Sequence, residues 1–403
     1  MNINDKRYFS DQAIAAIRAK YPVERTVDEA LTWKLQRRRG CDYRLTDMEE
    51  LSVRLSRFIA DQVTEPFHIT ALTRLPGGGS KEMFRFTLHR QAATGDSAEN
   101  LILRMNPGES IAETHRLREF QVMKAMKGVV PVPDTYWVDA DGAVLGNSAM
   151  VCGFVTGIAK PSKPQGKSGS VSGIGAGFPK EQREPLLAQF IAHLVAIQNF
   201  RWQIADLSAF DVPRAGTVEA ASLSLNQWSR VWEEDCFEEH PVITLAAQWL
   251  TNHLPIANDI CLVHNDYRNG NFLYNEDTAE ITAILDWELA RLGDYHEDLA
   301  WILFQGFASP DENGTPLVCG LAPRDEFIKR YEEQSGRSVD EKKLHYYTVL
   351  NLYKLAILGS ATNARAAADR QTHLDVMMNL STGLGYSALC ELYQILNAEE
   401  ASQ

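Results

Sequence analysis

Three side chains with hard oxygen donors, Asp266, Asn271 and Asp286, lie within one short stretch of the sequence. Carboxylate and carboxamide oxygens are the ligands that Mg²⁺ prefers. An aspartate beside such a metal could accept a proton from a hydroxyl nucleophile or orient it, which is what phosphoryl transfer requires. Asn and Asp are also common in turns, so the spacing alone leaves a purely structural role open.

The pattern around these residues predicts a hairpin. An apolar strand at 260–263 leads into a polar loop that contains Asp266, and two further strands follow at 272–274 and 280–285. If the turn is centred near residues 277 and 278, Asn271 lies opposite Ile284, two positions before Asp286. Paired strands hold facing side chains roughly 5 Å apart, so we expect the amide and the carboxylate to meet at one end of the hairpin.

The elements that must position these residues change in character along the chain. Residues 1–50 form a predicted helical extension, in which we expect the basic run 34–39 to be a solvated helix face. Residues 51–151 follow a capping-box pattern at Thr46 and Glu49 and have a β-β-β-α-β-β order, which predicts a small antiparallel sheet carrying one main helix. Residues 152–403 are mostly helical beyond 180. The predicted fold class is therefore α+β, with a small β-rich N-lobe and a larger helical C-lobe.

The run from His264 to Asp298 resembles a known family. His264-Asn-Asp266 followed by Asn271 is similar to the Brenner motif of the aminoglycoside phosphotransferase and choline kinase family, and Asp286 to its DFG-like aspartate. The segments 285–294, 226–232 and 352–356 resemble the branch found in acyl-CoA dehydrogenase-associated phosphotransferases. The similarity covers about residues 50–390, and it implies a bilobal protein-kinase-like fold.

The resemblance implies roles for the residues of the run. Asp266 would be the catalytic base or orienting aspartate, while Asn271 and Asp286 would hold Mg²⁺. His264 would support the loop, and Asp298 would tie the following helix to it. Arg268 could meet the transferred phosphate, although a solvent-facing arginine fits its position equally well.

The N-lobe supplies a candidate nucleotide site. Gly77, Gly78, Gly79 and Ser80 lie between two predicted strands, where main-chain N–H groups could approach phosphates. Arg104 on the third strand and Glu119 on the following helix would form the cation–carboxylate pair that a kinase-like site needs. Arginine replaces the lysine of protein kinases here, and its planar fork can also bind phosphate.

Two neighbouring segments complete the predicted site. The linker between the lobes, which contains Cys152 and Phe154, would present main-chain groups to adenine. The loop 160–180 is rich in Gly, Ser and Pro and predicts a mobile segment, either a lid over the substrate or a flexible insertion. Its patterns 166–168 and 173–177 lack the strand–helix context of a P-loop or a dinucleotide-binding turn.

Composition limits the classes of partner. The net charge of -13 disfavours nucleic-acid binding, and no segment is apolar enough to cross a membrane. Six dispersed cysteines without a CxxC pair argue against a disulfide scaffold or a zinc ribbon. The start of the sequence has no apolar signal segment. We therefore expect a soluble, cytoplasmic protein whose partner is a small molecule; the oligomeric state is not readable from the sequence.

The leading hypothesis is an ATP- and Mg²⁺-dependent kinase of a small-molecule hydroxyl, with GTP not excluded as the donor. The acceptor could be an aminoglycoside-like antibiotic, a hydroxy-acid or hydroxyacyl metabolite, or an amino alcohol, and the branch resemblance favours the metabolite. The alternative is a non-catalytic nucleotide-binding pseudokinase or regulatory module. A protein kinase ranks last, because no activation segment is evident after Asp286.

Overall fold

The computed structural model describes residues 8–38, 45–75, 80–92, 95–108, 110–163, 173–369 and 375–400. Its helices are α1 (Asp11–Lys20), α2 (Arg25–Arg37), α3 (Met48–Ala60), α4 (Arg116–Met126), α5 (Lys180–Gln198), α6 (Glu219–Asp235), α7 (Pro241–Asn252), α8 (His296–Ile302), α9 (Arg324–Ser335), α10 (Glu341–Ile357), α11 (Asn363–Asp369) and α12 (Asp375–Glu400). Its strands are β1 (Phe67–Arg74), β2 (Glu82–Ala92), β3 (Gly95–Met105), β4 (Thr135–Asp139), β5 (Ala149–Gly153), β6 (Cys261–Val263), β7 (Phe272–Asn275), β8 (Glu280–Ile284), β9 (Arg291–Gly293), β10 (Ser309–Pro310) and β11 (Pro316–Leu317). Among the described helices, none combines the length and apolarity needed to cross a bilayer.

The N-lobe is a five-stranded antiparallel sheet with the order β1-β2-β3-β5-β4. Side chains alternate along β3. Leu101 and Leu103 pack into the core beneath α3, and Ile102 packs toward α4 on the other face. Because the period of a strand is two residues, Arg104 shares the α4 side with Ile102. The predicted α+β class is confirmed, and alternation alone directs Arg104 toward the helix that carries Glu119.

The N-cap of helix α3 lies one residue later than predicted. The carboxylate of Asp47, rather than the hydroxyl of Thr46, accepts hydrogen bonds from the main-chain N–H groups of Glu49 and Glu50. An aspartate in this position also complements the positive end of the helix dipole.

The basic run in α2 is not a solvated face, so this expectation is wrong. Lys34 is 1% exposed, and its Nζ atom lies 2.8 Å from Glu234 and 2.9 Å from Asp235 of α6. Arg38 is also buried and pairs with Asp235 at 2.7 Å. The burial of these cations depends on two acidic residues about two hundred positions away, which local patterning does not show.

In the C-lobe, helices surround two short two-stranded sheets, β6 with β9 and the hairpin of β7 with β8. The predicted register of β7 and β8 is correct near the turn, where Asn275 pairs with Glu280, but it is one residue out at the far end. Thr282 is an extra residue opposite the step from Leu273 to Tyr274, a β-bulge. As a result Leu285, not Ile284, donates its N–H to the carbonyl of Asn271, at 2.8 Å.

Candidate active site

The loop that follows β6 is held by the first turn of α8. One carboxylate oxygen of Asp298 accepts the main-chain N–H of His264 at 3.0 Å, and the other accepts that of Asn265 at 2.7 Å. Asn265 has the left-handed φ of 64°, a conformation that asparagine adopts more readily than most non-glycine residues. Burial raises the pKa of Asp298 to about 6, although both donors favour its ionised form. Asp298 thus contacts the loop as expected for a residue that ties α8 to it.

His264 connects this loop to the strand that precedes Asp286. Its Nδ1 atom accepts the N–H of Asp266 at 3.2 Å, and its Nε2 atom donates to the carbonyl of Leu285 at 2.9 Å. The ring packs on Trp287, with centroids 4.4 Å apart. Burial lowers the pKa of His264 to about 4, so the imidazole is neutral at pH 7, as its one donor and one acceptor require.

Asp266 and Asn271 contact each other directly. The Nδ2 atom of Asn271 donates to Oδ2 of Asp266 at 2.6 Å and to its main-chain carbonyl at 2.9 Å. The other carboxylate oxygen of Asp266 accepts from Arg268 Nε at 3.0 Å and from Trp301 Nε1 at 2.8 Å. Three donors therefore fix the orientation of Asp266. No donor among the described residues reaches Oδ1 of Asn271, which leaves that oxygen open.

Asp286 lies directly after the strand that is bonded to Asn271. Its backbone is left-handed (φ 59°, ψ 53°), a conformation that Asn and Asp tolerate best among non-glycine residues. Its side chain is 39% exposed, and Oδ1 accepts from Arg104 Nη2 at 3.0 Å. The second oxygen has no donor among the described residues. The carboxylate therefore faces the space between the lobes.

Arg104 also pairs with Glu119 of α4, at 2.9 Å. Burial opposes the charge on Arg104, but Glu119 and Asp286 outweigh it and raise the pKa of the guanidinium. Arg116 pairs with the second oxygen of Glu119 and with Asn106. The expected cation–carboxylate pair of the N-lobe is thus assembled in the structure.

A second ion pair between the lobes escaped the sequence reasoning. Lys81, 1% exposed, places Nζ 3.0 Å from Oε2 of Glu288 and 3.2 Å from Oγ of Ser110. Burial lowers the pKa of Lys81 despite the nearby carboxylate. The positions of the two residues in the sequence could have indicated this pair, because Lys81 directly follows Ser80 of the glycine loop and Glu288 lies two residues after Asp286.

Lys354 of α10 was also missed as a site residue, although it lies inside a segment that carries the family resemblance. Its Nζ atom donates to the main-chain and side-chain oxygens of Asn265 at 3.1 and 3.3 Å. It lies 3.9 Å from the ring centroid of Trp301, the residue that donates to Asp266. Burial lowers the pKa of Lys354 to about 8. A buried cation thus contacts two residues that border the aspartate.

The remaining predicted nucleotide contacts have mixed outcomes. Gly77, Gly78 and Gly79 lie outside the described residues, and Ser80 is half-buried at their edge. The side chain of Cys152 is buried in the core, so only its main chain could meet a base. The N–H of Phe154 already donates to the carbonyl of Asn100 at 3.1 Å. The N–H of Phe154 is thus engaged, which leaves its carbonyl as the main-chain group that could meet adenine.

Arg268 and the loop 160–180 contact the same region. Arg268 uses Nε on Asp266 and Nη1 on the carbonyl of Asn269, which leaves Nη2 without an acceptor among the described residues. Residues 164–172 of the loop lie outside the described residues. The end of the loop is not a free segment: Phe178 is buried, and the carbonyl of Ala176 accepts from Asn269 Nδ2 at 3.3 Å.

No group of three His, Cys, Asp or Glu side chains in the described part of the chain could hold a metal ion. The candidate donor set is instead an amide oxygen, on Asn271, and a carboxylate, on Asp286. Water and phosphate oxygens normally complete the coordination of Mg²⁺ at such a site.

Comparison with known proteins identifies the architecture. The model of the phosphotransferase enzyme family, APH, matches residues 71–341. Acyl-CoA dehydrogenase family member 10 of Mus musculus is 28% identical over 296 residues, which are 66% of this chain and 25% of that protein. This chain therefore spans about a quarter of the length of that relative.

Solved structures share the fold. A Ralstonia eutropha protein assigned to the aminoglycoside phosphotransferases aligns over 86% of this chain and 98% of its own, with a TM-score of 0.58 and 18% identity. The type I macrolide 2'-phosphotransferase aligns over 88% and 99%, with a TM-score of 0.53 and 17% identity. The predicted kinase-like fold is confirmed.

Proposed function

The chain belongs to the phosphotransferase enzyme family, and on that premise we propose that it transfers the γ-phosphate of ATP, or of GTP, to a hydroxyl of a small molecule with the help of Mg²⁺. The observation that carries this proposal is a set of side-chain contacts where the two lobes meet. Asn271 orients Asp266, and Arg104 bridges Glu119 and Asp286. These contacts support a phosphoryl-transfer site in which Asp266 serves the acceptor half and Arg104 the nucleotide half.

The residues present fit Mg²⁺. Asn271 directs its Nδ2 atom toward Asp266, so its oxygen is left for a cation, and one oxygen of Asp286 has no donor among the described residues. These two side chains would hold the metal. When bound, the ion would neutralise charge on the phosphates of the nucleotide.

Asp266 would act on the acceptor. Its three hydrogen-bond donors fix the carboxylate, so that an incoming hydroxyl meets it in one orientation and can pass its proton to it. Arg268, which lies against Asp266 and keeps Nη2 available, would contact the transferred phosphoryl group or an anionic part of the acceptor. This cation supports a hydroxy-acid or hydroxyacyl acceptor over a polycationic aminoglycoside.

In the donor half, Arg104 would contact the phosphates, with Glu119 holding its guanidinium. Lys81 adds a second cation close to the glycine loop. We assign 51–151 to nucleotide binding and 152–403 to catalysis and acceptor binding.

The acceptor class has support from the comparisons. The relative in Mus musculus is an acyl-CoA dehydrogenase family member, which fits an acyl-type metabolite. The structural neighbours are named for aminoglycosides and macrolides, which are larger hydroxyl-bearing acceptors. We favour the metabolite, because Arg268 places positive charge at the acceptor side.

The test is a thermal-shift screen with MgATP and MgGTP, followed by a panel of hydroxy acids, their acyl thioesters, amino alcohols and aminoglycosides assayed for ADP or GDP formation. We expect stabilisation by the Mg-nucleotide and acceptor-dependent turnover that Asp266→Ala abolishes. Nucleotide binding without turnover on any acceptor would instead support a pseudokinase. No stabilisation by either nucleotide would refute both functions.

A further inference from the structure

Helix α2 of the N-terminal extension contacts both lobes. Toward the N-lobe, Trp33 stacks on His115 with centroids 5.4 Å apart, and Arg37 pairs with Glu113 at 3.0 Å. Toward the C-lobe, Lys34 pairs with Glu234 and Asp235 of α6. One short segment of chain is thus anchored to both sides of the opening.

Glu24, the residue just before α2, contacts both lobes. Its Oε2 atom accepts from Arg118 Nη1 at 2.7 Å, and its Oε1 atom lies 3.2 Å from Arg291 Nη2. All three side chains are at most 5% exposed. Arg118 is the neighbour of Glu119 on α4, and Arg291 begins β9 shortly after Asp286. A single buried carboxylate therefore joins the helix of the N-lobe to the segment that follows the metal-side aspartate.

Arg118 is tied to the extension and the C-lobe by further bonds. It donates to Oγ1 of Thr26 at 3.1 Å, to the carbonyl of Ala209 at 3.2 Å and to that of Ala290 at 3.1 Å. Its guanidinium also lies 4.2 Å from the ring centroid of Phe210. Every hydrogen-bond partner of the Arg118 side chain among the described residues thus belongs to the extension or to the C-lobe, although Arg118 itself is on a helix of the N-lobe.

The position of α4 determines whether Glu119 reaches Arg104. A helix moves as a rigid unit, so a shift of α4 would lengthen the 2.9 Å contact between the two side chains. We propose that Glu24 is a positioning residue: together with Arg118 and Arg291 it makes the N-terminal segment a brace that keeps α4 seated with Glu119 on Arg104. This inference rests on the proposed function, since it concerns the nucleotide half of that site. The brace would let the pair stay assembled without an activating partner.

The chain offers a matched control. Lys34 anchors the same segment through buried ion pairs, but only to α6 of the C-lobe. In Lys34→Met, Glu234 keeps Arg230 at 2.8 Å and Asp235 keeps Arg38, so neither acid is left alone. In Glu24→Gln, Arg118 keeps its carbonyl acceptors. Both variants weaken the extension, but only Glu24→Gln releases α4.

The experiment measures two quantities on the full chain: hydrogen exchange of residues 116–126 without ligand, and the Kd of a fluorescent MgATP analogue. In Glu24→Gln we expect faster exchange of α4 and a Kd raised about tenfold, the change that follows if α4 is seated only about one tenth of the time. Lys34→Met should leave both at the wild-type values, even where its Tm is lower.

The possible outcomes distinguish failure of the brace from failure of the proposed phosphotransferase function. Equal effects of the two variants, or no effect of Glu24→Gln, would overturn the brace. Failure of the wild-type protein to bind the analogue would refute the proposed function, while the exchange of α4 would still decide on the brace. If Glu24→Gln does not fold, Thr26→Val removes one acceptor of Arg118, and the same exchange and Kd changes are expected in smaller measure; their absence would overturn the brace.

Discussion

Arg104 places Nη2 3.0 Å from Oδ1 of Asp286, although the two residues belong to different lobes. The same nitrogen lies 2.9 Å from Glu119, so one guanidinium joins the helix of the N-lobe to the aspartate on the metal side. A phosphate that binds Arg104 and a cation that binds Asp286 would therefore each compete with the ion pair between these two residues. At the proposed site, this contact would make nucleotide and metal binding interdependent.

Asp286→Asn tests the metal role without disturbing the backbone. Asparagine tolerates the left-handed conformation at this position, whereas Asp286→Ala adds strain of about 1 kcal/mol. We expect Asp286→Asn to retain its Tm and to lose about 10²-fold or more in the rate of phosphoryl transfer, with a higher Mg²⁺ concentration needed for half-maximal rate. Asp277→Asn makes the same change at an exposed position on the same hairpin and should be silent. A wild-type Mg²⁺ dependence in Asp286→Asn would contradict the assignment.

Asp266→Asn separates chemistry from binding. The amide oxygen can still accept from Arg268 and Trp301, so the loop should keep its shape, but the new Nδ2 meets the Nδ2 of Asn271 and the Asn271 amide must turn. Because proton acceptance is lost, we expect kcat to fall by roughly 10²- to 10⁴-fold, with the Kd for ATP measured without Mg²⁺ within about twofold of wild type. Stopped-flow nucleotide binding and steady-state turnover give the two values. A parallel loss of affinity and rate would mean that Asp266 is a structural residue.

Periodic features of this fold could be read from the sequence, and irregular ones could not. The strands around Arg104 alternate, so the face that carries it follows from a period of two. The hairpin that carries Asn271 has one extra residue at Thr282, and no composition signal marks that bulge. The register at Asp286 was consequently one residue out, although the meeting of the two strand ends was foreseen.

The sequence patterns also do not predict which lysine side chains are buried. Lys34, Lys81 and Lys354 are each 1% exposed, whereas lysine is ordinarily a surface residue. Their acidic and aromatic partners are distant in sequence, so burial becomes visible only after the helices pack. The motif around His264 was readable for the opposite reason: its partners lie within one hairpin and the following helix.

The buried neutral imidazole of His264 predicts acid sensitivity. Its pKa is lowered from 6.5 to about 4 in the folded state, so the unfolded chain binds the extra proton first. The stability that it contributes is fully present above pH 6.5 and is lost as the pH falls toward 4, by up to about 3 kcal/mol.

Urea titrations at pH 7 and pH 4.5 measure this loss for the wild type and for His264→Gln. Glutamine can still donate to Leu285 but does not titrate, so the free energy of unfolding should fall less over the same interval. An identical pH dependence in both proteins would show that other groups account for the acid sensitivity.

Lys354 should have opposite effects on stability and on rate. Burial holds its pKa at about 8, below the ordinary 10.5, so a charged lysine at pH 7 costs the folded state free energy, by as much as about 3 kcal/mol. Lys354→Met removes that cost but also removes the cation beside Asn265 and Trp301, which border Asp266. We expect an unfolding free energy equal to or above that of the wild type, together with a turnover number lowered about tenfold, the size of effect seen when outer-shell partners are lost.

Lys342→Met, at an exposed position of the same helix, should change neither the unfolding free energy nor the turnover number, and Lys354→Arg should recover part of the rate. A destabilised Lys354→Met protein with normal turnover would mean that the lysine serves the fold alone.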